Sequence, residues 1–413
     1  MKVFDIKNGT LLVNKYSKLN YHQSNNDTSY LHIVIRHGAK DDKIIGLSHF
    51  VEHIILKGSV NYSQFSISKF LDENEGELNA YTSAEFIEIT AEINSKKICE
   101  LIDIVLDLIF RNKFSKKDFE SEKKVIHEER ISNGYDSEKE LSDLVYGQIL
   151  YNYPEISRDI IGNEDNITIG QVRRFIKKIC VPENLIISIT SKASYTSIYR
   201  QVFNNVKDVH NINNVQRKRA LPKYTDIGHS TNKTLYKKVV KKSKSETFLS
   251  VGFIGPRYGS NESLLLEAGM SILLGGTSSY LWQTLRENSG MVYSIDYEVF
   301  YFHDFSICYI YSSVTKRNVK KVIAEIRNSL EKISNGEGID INRGVKYLKS
   351  IYKKEINNPG VMNKLYCYDY YYEDKVNNYV DIISTISKIK SVKIKEYFKS
   401  IASNDIFETI LTS

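Results

Sequence analysis

The residues of this sequence with the clearest chemical potential form the segment His49-Phe50-Val51-Glu52-His53. If the segment is helical, His49 and His53 stand about one turn apart and present both imidazoles on one face, with Glu52 beside them. Imidazole and carboxylate groups are suitable zinc ligands, and a catalytic zinc ion keeps one position open for water. In this HxxEH order, Glu52 is placed to take a proton from that water and to deliver it later to a leaving amine. The segment therefore predicts a zinc site with its own general base.

A third zinc ligand must come from another part of the chain. The predicted helix at 115–132 offers Glu122, Glu128 and Glu129 as candidates. Glu122 and Glu129 share a face because they are two turns apart, whereas Glu128 is turned away from Glu129 by about 100 degrees. One of the two can bind the metal while the other orients an imidazole N–H from behind. Helix geometry does not decide which residue has which role.

The pattern of apolar residues predicts the elements that position the motif. The segment 45–56 carries an apolar stripe at helical spacing beside the motif, and an alternating strand pattern at 31–36 precedes it. Ser115, with Asp118 three residues later, predicts the start of the helix that bears the glutamates. The other elements predicted in the first half are helices at 66–74, 96–111, 138–151 and 169–179, a strand region at 77–93 broken at Ala80, and a strand at 184–190.

The second half of the sequence repeats this plan. Its predicted elements are a strand at 247–254, helices at 262–274 and 279–288, strands within 292–313, helices at 318–333 and 341–357, and a closing strand at 406–411. The parallel order indicates an internal duplication of about 200 residues. Residues 206–234 are polar and basic with little periodicity, so they predict a linker between domains at 1–205 and 235–413. The helix at 262–274 contains no histidine, so the metal site is expected in the first domain alone.

Composition and charge exclude several other classes of protein. The length of 413 residues suits two domains, and 41% hydrophobic with 26% charged residues is typical of a globular protein. The net charge of +7 comes with no basic stripe or recognisable binding motif, so nucleic acid is not an expected partner. The four cysteines form no CxxC pair, which argues against a thiolate zinc site and a disulfide framework. No apolar leader or membrane-spanning segment is visible, so a cytoplasmic location is expected.

Beyond the motif itself, the sequence resembles the pitrilysin and mitochondrial processing peptidase family of inverted zinc metallopeptidases. The likeness includes 36–42, 46–59, 76–83 and 122–129 in the first half and 273–294 in the second. The resemblance implies an α+β fold of two homologous domains, each with a mixed, mostly antiparallel sheet flanked by helices. It also implies one Zn²⁺ per chain, with Glu129 as the third ligand beside His49 and His53, and with Glu122 as its support.

Four further residues receive roles from the same resemblance. Arg286 and Tyr293 are expected to bind the substrate or its oxyanion, since a guanidinium or a phenol can donate to an oxygen that gains charge. Asn79 and Ala80 are expected on a strand edge that pairs with the backbone of an extended peptide. The sequence departs from the family pattern at Glu75-Gly76, where paired glycines are common, but this departure touches no ligand.

The function implied by the resemblance is a zinc-dependent endopeptidase that hydrolyses short or unfolded peptides inside a chamber. Short members of the family pair, so a homodimer or a heterodimer with a related chain is expected. One alternative is a dedicated peptidase that removes leader or targeting segments from a precursor. Another is a non-catalytic subunit of a heterodimeric peptidase, against which the intact set His49, Glu52, His53 and Glu129 argues.

Overall fold

The structure is a computed structural model that describes residues 2–6, 9–13, 18–133, 136–207, 209, 234–238, 246–403 and 405–412. The chain divides into two compact units. Unit 1 comprises residues 1–132, 158–220 and 355–378, and unit 2 comprises 133–157, 221–354 and 379–413. These units differ from the predicted domains 1–205 and 235–413, because each unit takes one helical segment from the other half of the chain. Most of the predicted linker, 206–234, lies outside the described residues.

The described residues form twelve strands and fourteen α-helices. The strands are β1 (Lys2–Ile6), β2 (Gly9–Val13), β3 (Lys18–Gln23), β4 (Thr28–Ile35), β5 (Glu77–Thr82), β6 (Ile87–Asn94), β7 (Leu185–Ser191), β8 (Thr234–Lys238), β9 (Glu246–Gly255), β10 (Val292–Tyr301), β11 (Ser306–Thr315) and β12 (Phe407–Thr412). The helices are α1 (Leu47–Ile55), α2 (Gln64–Asp72), α3 (Ile98–Phe110), α4 (Lys116–Asn133), α5 (Ser137–Ile149), α6 (Pro154–Ser157), α7 (Ile169–Ile179), α8 (Tyr195–Val206), α9 (Asn261–Leu274), α10 (Val319–Asn335), α11 (Ile341–Glu355), α12 (Pro359–Glu373), α13 (Tyr379–Ser387) and α14 (Ser391–Ser403).

The sheet of unit 1 has seven strands in the order β1-β2-β3-β7-β4-β6-β5. Strands β3 and β7 pair in parallel, and the other described pairs are antiparallel. Successive side chains of β4 point to opposite faces of this sheet, and both faces are covered by helices. Leu31 and Ile33 join the main core with α1, α3 and α7, whereas Val34 packs with Cys367 and Tyr371 of α12 on the other face. This packing explains why α12 belongs to unit 1 although it lies late in the sequence.

The sheet of unit 2 has five strands in the order β10-β11-β9-β12-β8. Its one described parallel pair is β12 with β8. One buried cluster joins this sheet to α9, α10 and α14. A second, smaller cluster places Leu141 of α5 against Phe248 and Leu411, so α5 packs in unit 2. The predicted fold class, α+β with a mixed sheet flanked by helices in each of two domains, is confirmed.

One prediction about an individual element was wrong. The strand region at 77–93 is interrupted at Ser83 to Phe86 and not at Ala80, because the Ser83 hydroxyl accepts the N–H groups of Glu85 and Phe86 and closes a turn. The helix predicted at 279–288 is present and is mainly π-helical, at Trp282–Glu287. Helices α6, α8, α12, α13 and α14 were not predicted. Among the described residues, no helix is both long enough and apolar enough to cross a membrane.

Candidate metal centre

Local packing fixes the start of α1, the helix that carries the HxxEH motif. Gly46 precedes it with φ of +90°, and a Cβ at this position would lie 2.1 Å from the carbonyl oxygen of Ile161. Only glycine combines this backbone conformation with so close an approach. The buried Asp42 carboxylate accepts the Ser48 N–H at 2.8 Å and the Ser48 hydroxyl at 2.6 Å. Both contacts set the position of the helix before its first histidine.

Helix α4 lies beside α1 and brings the third candidate ligand to the two histidines. Phe50 and Phe119 stack between the helices with ring centroids 4.8 Å apart. One Glu129 carboxylate oxygen is 3.5 Å from Nε2 of His49 and 3.3 Å from Nε2 of His53. In a tetrahedral site with metal–ligand distances of about 2.0–2.1 Å, neighbouring ligand atoms are about 3.3–3.4 Å apart. The donor set and its spacing therefore fit a zinc ion.

Glu122 lies on the opposite side of the His53 ring. Its Oε2 atom is 3.2 Å from Nδ1 of His53, and its Oε1 atom is 2.6 Å from Nζ of Lys57. A carboxylate at Nδ1 favours the tautomer that leaves Nε2 free to bind a metal. Glu128 is exposed on another face of α4. Of the two glutamates left open by helix geometry, Glu129 thus faces Nε2 and Glu122 faces Nδ1.

The three carboxylates around the histidines have different electrostatic environments. Burial raises the pKa of Glu52, an effect that the neighbouring His49 only partly opposes. The hydrogen bond from His49 is the main cause that lowers the pKa of Glu129. Burial would raise the pKa of Glu122, but its bonds to His53 and Lys57 outweigh that effect and lower it. Glu122 and Glu129 are therefore held as carboxylates, whereas Glu52 is shifted towards the range of a general base.

The imidazole of His53 is held more firmly than that of His49. Burial disfavours the charged form of His53, but the Glu122 hydrogen bond and nearby carboxylates raise its pKa. His49 is 5% exposed, and its Nδ1 atom is buried without a hydrogen-bond partner among the described residues. Its metal-facing Nε2 atom contacts Glu129. The described orienting contact is therefore specific to His53.

Asn79 and Ala80, the predicted substrate-binding residues, lie in β5 at the edge of the unit 1 sheet. They pair with Thr90 and Ile89 of β6, and no other described strand pairs with β5. Helix α1 packs against this strand. Asn79 is exposed, and Ala80 is partly buried against the core. The outer edge of β5 thus offers backbone groups close to the helix that bears Glu52.

Arg286 and Tyr293 lie in unit 2 and contact each other. The Arg286 guanidinium is 5.8 Å from the Tyr293 ring centroid and 4.3 Å from that of Trp282, both within the range of cation–π contacts. Tyr293 is 80% exposed. Arg286 belongs to the π-helical segment, a conformation often found at functional sites. The structure brings this predicted pair together, and the roles of its members stay predictions.

Several residues near the candidate metal centre were not predicted from the sequence. Lys57 contacts Glu122, and Asp42 holds the start of α1. Glu164, 1% exposed, accepts hydrogen bonds from Arg130 and His127 of α4, and these contacts lower its pKa to about 2. Lys57 follows His53 by four residues, a spacing that could have indicated it. No sequence pattern links Glu164 to α4.

Comparison with known proteins supports the assignment of both halves. The family model described as insulinase, peptidase family M16, matches residues 19–155, and the one described as peptidase M16 inactive domain matches residues 166–342. An uncharacterized zinc protease of Mycobacterium tuberculosis is 23% identical over 302 residues, or 72% of this chain and 68% of that protein. The uncharacterized zinc protease YmxG of Bacillus subtilis is 24% identical over 296 residues, or 70% of this chain and 68% of YmxG.

Two solved structures share the fold along nearly the whole chain. A protease from Helicobacter pylori superposes with a TM-score of 0.86 at 15% identity, covering 98% of this chain and 99% of the other. A peptidase M16 inactive domain from Pseudomonas fluorescens gives a TM-score of 0.86 at 12% identity, covering 98% of each chain. The two family matches together span most of the sequence, and the predicted resemblance is confirmed. The chain belongs to peptidase family M16, the pitrilysin family, and is of its short, two-domain type.

Proposed function

We propose that the chain is a zinc-dependent endopeptidase whose reaction centre is the α1–α4 contact of unit 1. The observation that carries this proposal is the position of one Glu129 oxygen, 3.5 and 3.3 Å from the Nε2 atoms of His49 and His53. Glu52 lies on the same helix as both histidines. The zinc proteases among the relatives and the family match support the same class of reaction.

His49, His53 and Glu129 would hold the zinc ion, which leaves a fourth tetrahedral position open. When bound, zinc lowers the pKa of a coordinated water and polarises a carbonyl oxygen. Glu122 keeps a carboxylate at Nδ1 of His53 and so presents Nε2 to the metal. The Lys57 ammonium balances the charge of Glu122. The chain thus supplies both the ligands and the group that orients one of them.

Glu52 is the proposed general base. Its carboxylate would take a proton from the attacking water and hold it until the amine leaves. Burial raises its pKa, so the carboxylate is a stronger base than an exposed glutamate. The same group, once protonated, can deliver the proton to the leaving amine nitrogen. One residue therefore serves first as base and then as acid.

An extended peptide would bind along the open edge of β5, next to α1. Backbone groups at Asn79 and Ala80 are proposed to pair with the substrate main chain, which recognises an extended conformation more than a particular sequence. Arg286 and Tyr293 are proposed to donate to the substrate or to the oxyanion. Their mutual contact supports a joint role. Such backbone recognition suits short or unfolded peptides, which can adopt an extended form.

We also propose that the working unit contains two chains that enclose a chamber, either as a homodimer or with a related subunit. The presence of the zinc ligands and of the Arg286–Tyr293 pair in one chain favours a homodimer. One zinc ion per chain is expected, because the described residues include one group of three or more candidate ligands at metal-binding distance. Gel filtration coupled to light scattering would measure the number of chains.

The proposed chemistry is tested by replacing the base without removing a metal ligand. Glu52→Gln should retain zinc but lower the rate of cleavage of a quenched fluorescent peptide by about 10²–10⁴-fold, because the amide cannot accept the proton. Glu120→Gln, an exposed glutamate of α4, is the matched control and should keep full activity. If Glu52→Gln retained zinc and wild-type activity, Glu52 would not be the base.

A further inference from the structure

The last turn of α4 carries Glu129 but is weakly anchored by apolar contacts. The buried residues of this helix are Phe119, Glu122 and Ile126, all of which precede Glu129. Beyond them, Ile131 is 41% exposed. A ligand on a loosely held helical turn would not keep the geometry that a metal requires, since a functional side chain needs its supporting backbone fixed. Another contact must therefore hold this turn.

Polar contacts supply that anchor on the neighbouring face of α4. Glu164 receives the His127 Nδ1 proton at 2.7 Å, the Arg130 Nε–H at 2.9 Å and an Arg130 Nη2–H at 3.1 Å. His127 and Arg130 flank Glu129 in sequence, so all three bonds act on the turn that carries it. The Glu164 side chain is 2% exposed, which strengthens its bonds to the charged guanidinium.

The segment that bears Glu164 also touches the start of α1. The backbones of Ile161 and Gly162 pack directly on those of Ile45 and Gly46, so that a Cβ on Gly162 would lie 2.4 Å from the Ile45 carbonyl oxygen. Asp159 closes this turn by accepting the N–H groups of Ile161 and Gly162 at 3.1 and 3.2 Å. Segment 159–166 therefore contacts α1 at one end and α4 at the other.

We propose that Glu164 is a positioning residue of the metal centre, which holds Glu129 in place by fixing the last turn of α4 to segment 159–166. The inference rests on the zinc site proposed above. Because segment 159–166 also contacts the start of α1, it sets the separation of the helix with the two histidines from the helix with the third ligand. Glu164 itself touches neither substrate nor metal.

Asp165 provides a matched control because it is adjacent and also pairs with α4. Its carboxylate is 2.9 Å from Nζ of Lys123, but its side chain is 70% exposed. An exposed ion pair of this kind contributes little to stability, about 0–1 kcal/mol. Lys123 lies nearly two turns before Glu129, so this pair does not act on the ligand-bearing turn. A comparison of variants at Glu164 and Asp165 therefore distinguishes the anchoring of Glu129 from a general attraction between segment 159–166 and α4.

The test measures the zinc dissociation constant of the purified full chain by competition with a chelator. Glu164→Gln should weaken zinc binding by about tenfold or more, the range found when groups that support metal ligands are removed. Asp165→Asn should remain within about twofold of wild type. The absorption spectrum of the Co²⁺-loaded protein should change in Glu164→Gln and not in Asp165→Asn, since the spectrum reports ligand geometry and a purely structural role elsewhere would not alter it.

Arg130→Gln is a second variant that retains the buried glutamate in case Glu164→Gln does not fold. It removes two of the three bonds to Glu164 and should also weaken zinc binding and change the Co²⁺ spectrum. Wild-type zinc affinity in folded Glu164→Gln or Arg130→Gln would overturn the inference. Failure of the wild-type chain to bind zinc would instead contradict the proposed metal site, so the two failures are distinguishable.

Discussion

Helix α1 of unit 1 and helix α9 of unit 2 occupy equivalent places in two related sheets. The strand order β5-β6-β4-β7-β3 in unit 1 matches β10-β11-β9-β12-β8 in unit 2, and in each the last two strands pair in parallel. Helix α1 follows β4 and α9 follows β9. The duplication predicted from the sequence thus extends to sheet topology. The helices differ in what they present to their neighbours.

In unit 1 the partner helix α4 meets α1 with carboxylates at the imidazoles, whereas in unit 2 the partner helix α11 closes directly on α9. A Cβ on Gly344 of α11 would lie 2.2 Å from a side-chain carbon of Ile272 and 2.8 Å from its backbone nitrogen. The α1–α4 pair of unit 1 has imidazole and carboxylate groups at the spacing of metal ligands. The α9–α11 pair of unit 2 has instead a close apolar contact at Gly344. The fold alone therefore does not create the candidate metal centre.

Among variants that test the difference between the two helix pairs, His49→Ala is expected to have the largest effect on zinc binding and activity. Removal of one of the two imidazoles should abolish zinc binding and peptide cleavage together, because two protein ligands hold zinc far more weakly than three. Metal analysis and a fluorescent peptide assay on the same preparation would check this. A variant with normal zinc content would remove His49 from the ligand set.

A smaller effect is expected from Arg286→Ala in unit 2. If the guanidinium stabilises the oxyanion, its loss should lower turnover by about 10²–10³-fold while zinc content stays unchanged. Arg327→Gln is the control, since Arg327 is also a partly exposed arginine of unit 2 and pairs with Glu408 at 2.7 Å. Unchanged turnover in Arg286→Ala would assign this arginine to its local contacts with Trp282 and Tyr293.

The smallest effect on catalysis is expected from Gly344→Ala, which tests the close apolar contact of unit 2. The added methyl group should lower the free energy of unfolding by about 1–3 kcal/mol, because Ile272 must shift. Gly147→Ala is the control, since a Cβ there meets no atom within 4 Å and alanine favours the helix. Urea denaturation would measure both, and zinc content should not change. A Gly344→Ala protein as stable as Gly147→Ala would contradict the close packing of α9 on α11.

The sequence predicted the parts of the centre that depend on local spacing. The HxxEH spacing and the apolar stripe placed α1 within two residues of its observed bounds, and Ser115 with Asp118 marked the start of α4. Spacing along α4 also placed Glu122 and Glu129 on one face of that helix. Spacing alone could not decide which of the two glutamates binds the metal. That choice depends on how α1 and α4 cross, because the crossing determines which imidazole nitrogen each carboxylate contacts.

Features that depend on distant contacts could not be predicted in this way. Glu164 reaches α4 across more than thirty residues of sequence, and nothing in either segment marks the pairing. Helix α12 was missed because its buried face includes Tyr370 and Tyr371, which a search for aliphatic periodicity does not detect, although Asn358 before Pro359 is a typical helix start. The exchange of α5 and α12 between the units likewise reflects packing that local patterns do not encode.

The α1–α4 contact of unit 1 is proposed to hold one zinc ion through His49, His53 and Glu129. The most direct test is the zinc content, by elemental analysis, of wild type, Glu129→Gln and Glu128→Gln. The last two differ by one position on α4, but Glu128 is exposed and turned away from the histidines. We predict one zinc ion per chain in wild type and Glu128→Gln and little or none in Glu129→Gln. Full zinc occupancy in Glu129→Gln, or its loss in Glu128→Gln, would contradict this assignment of the zinc ligands.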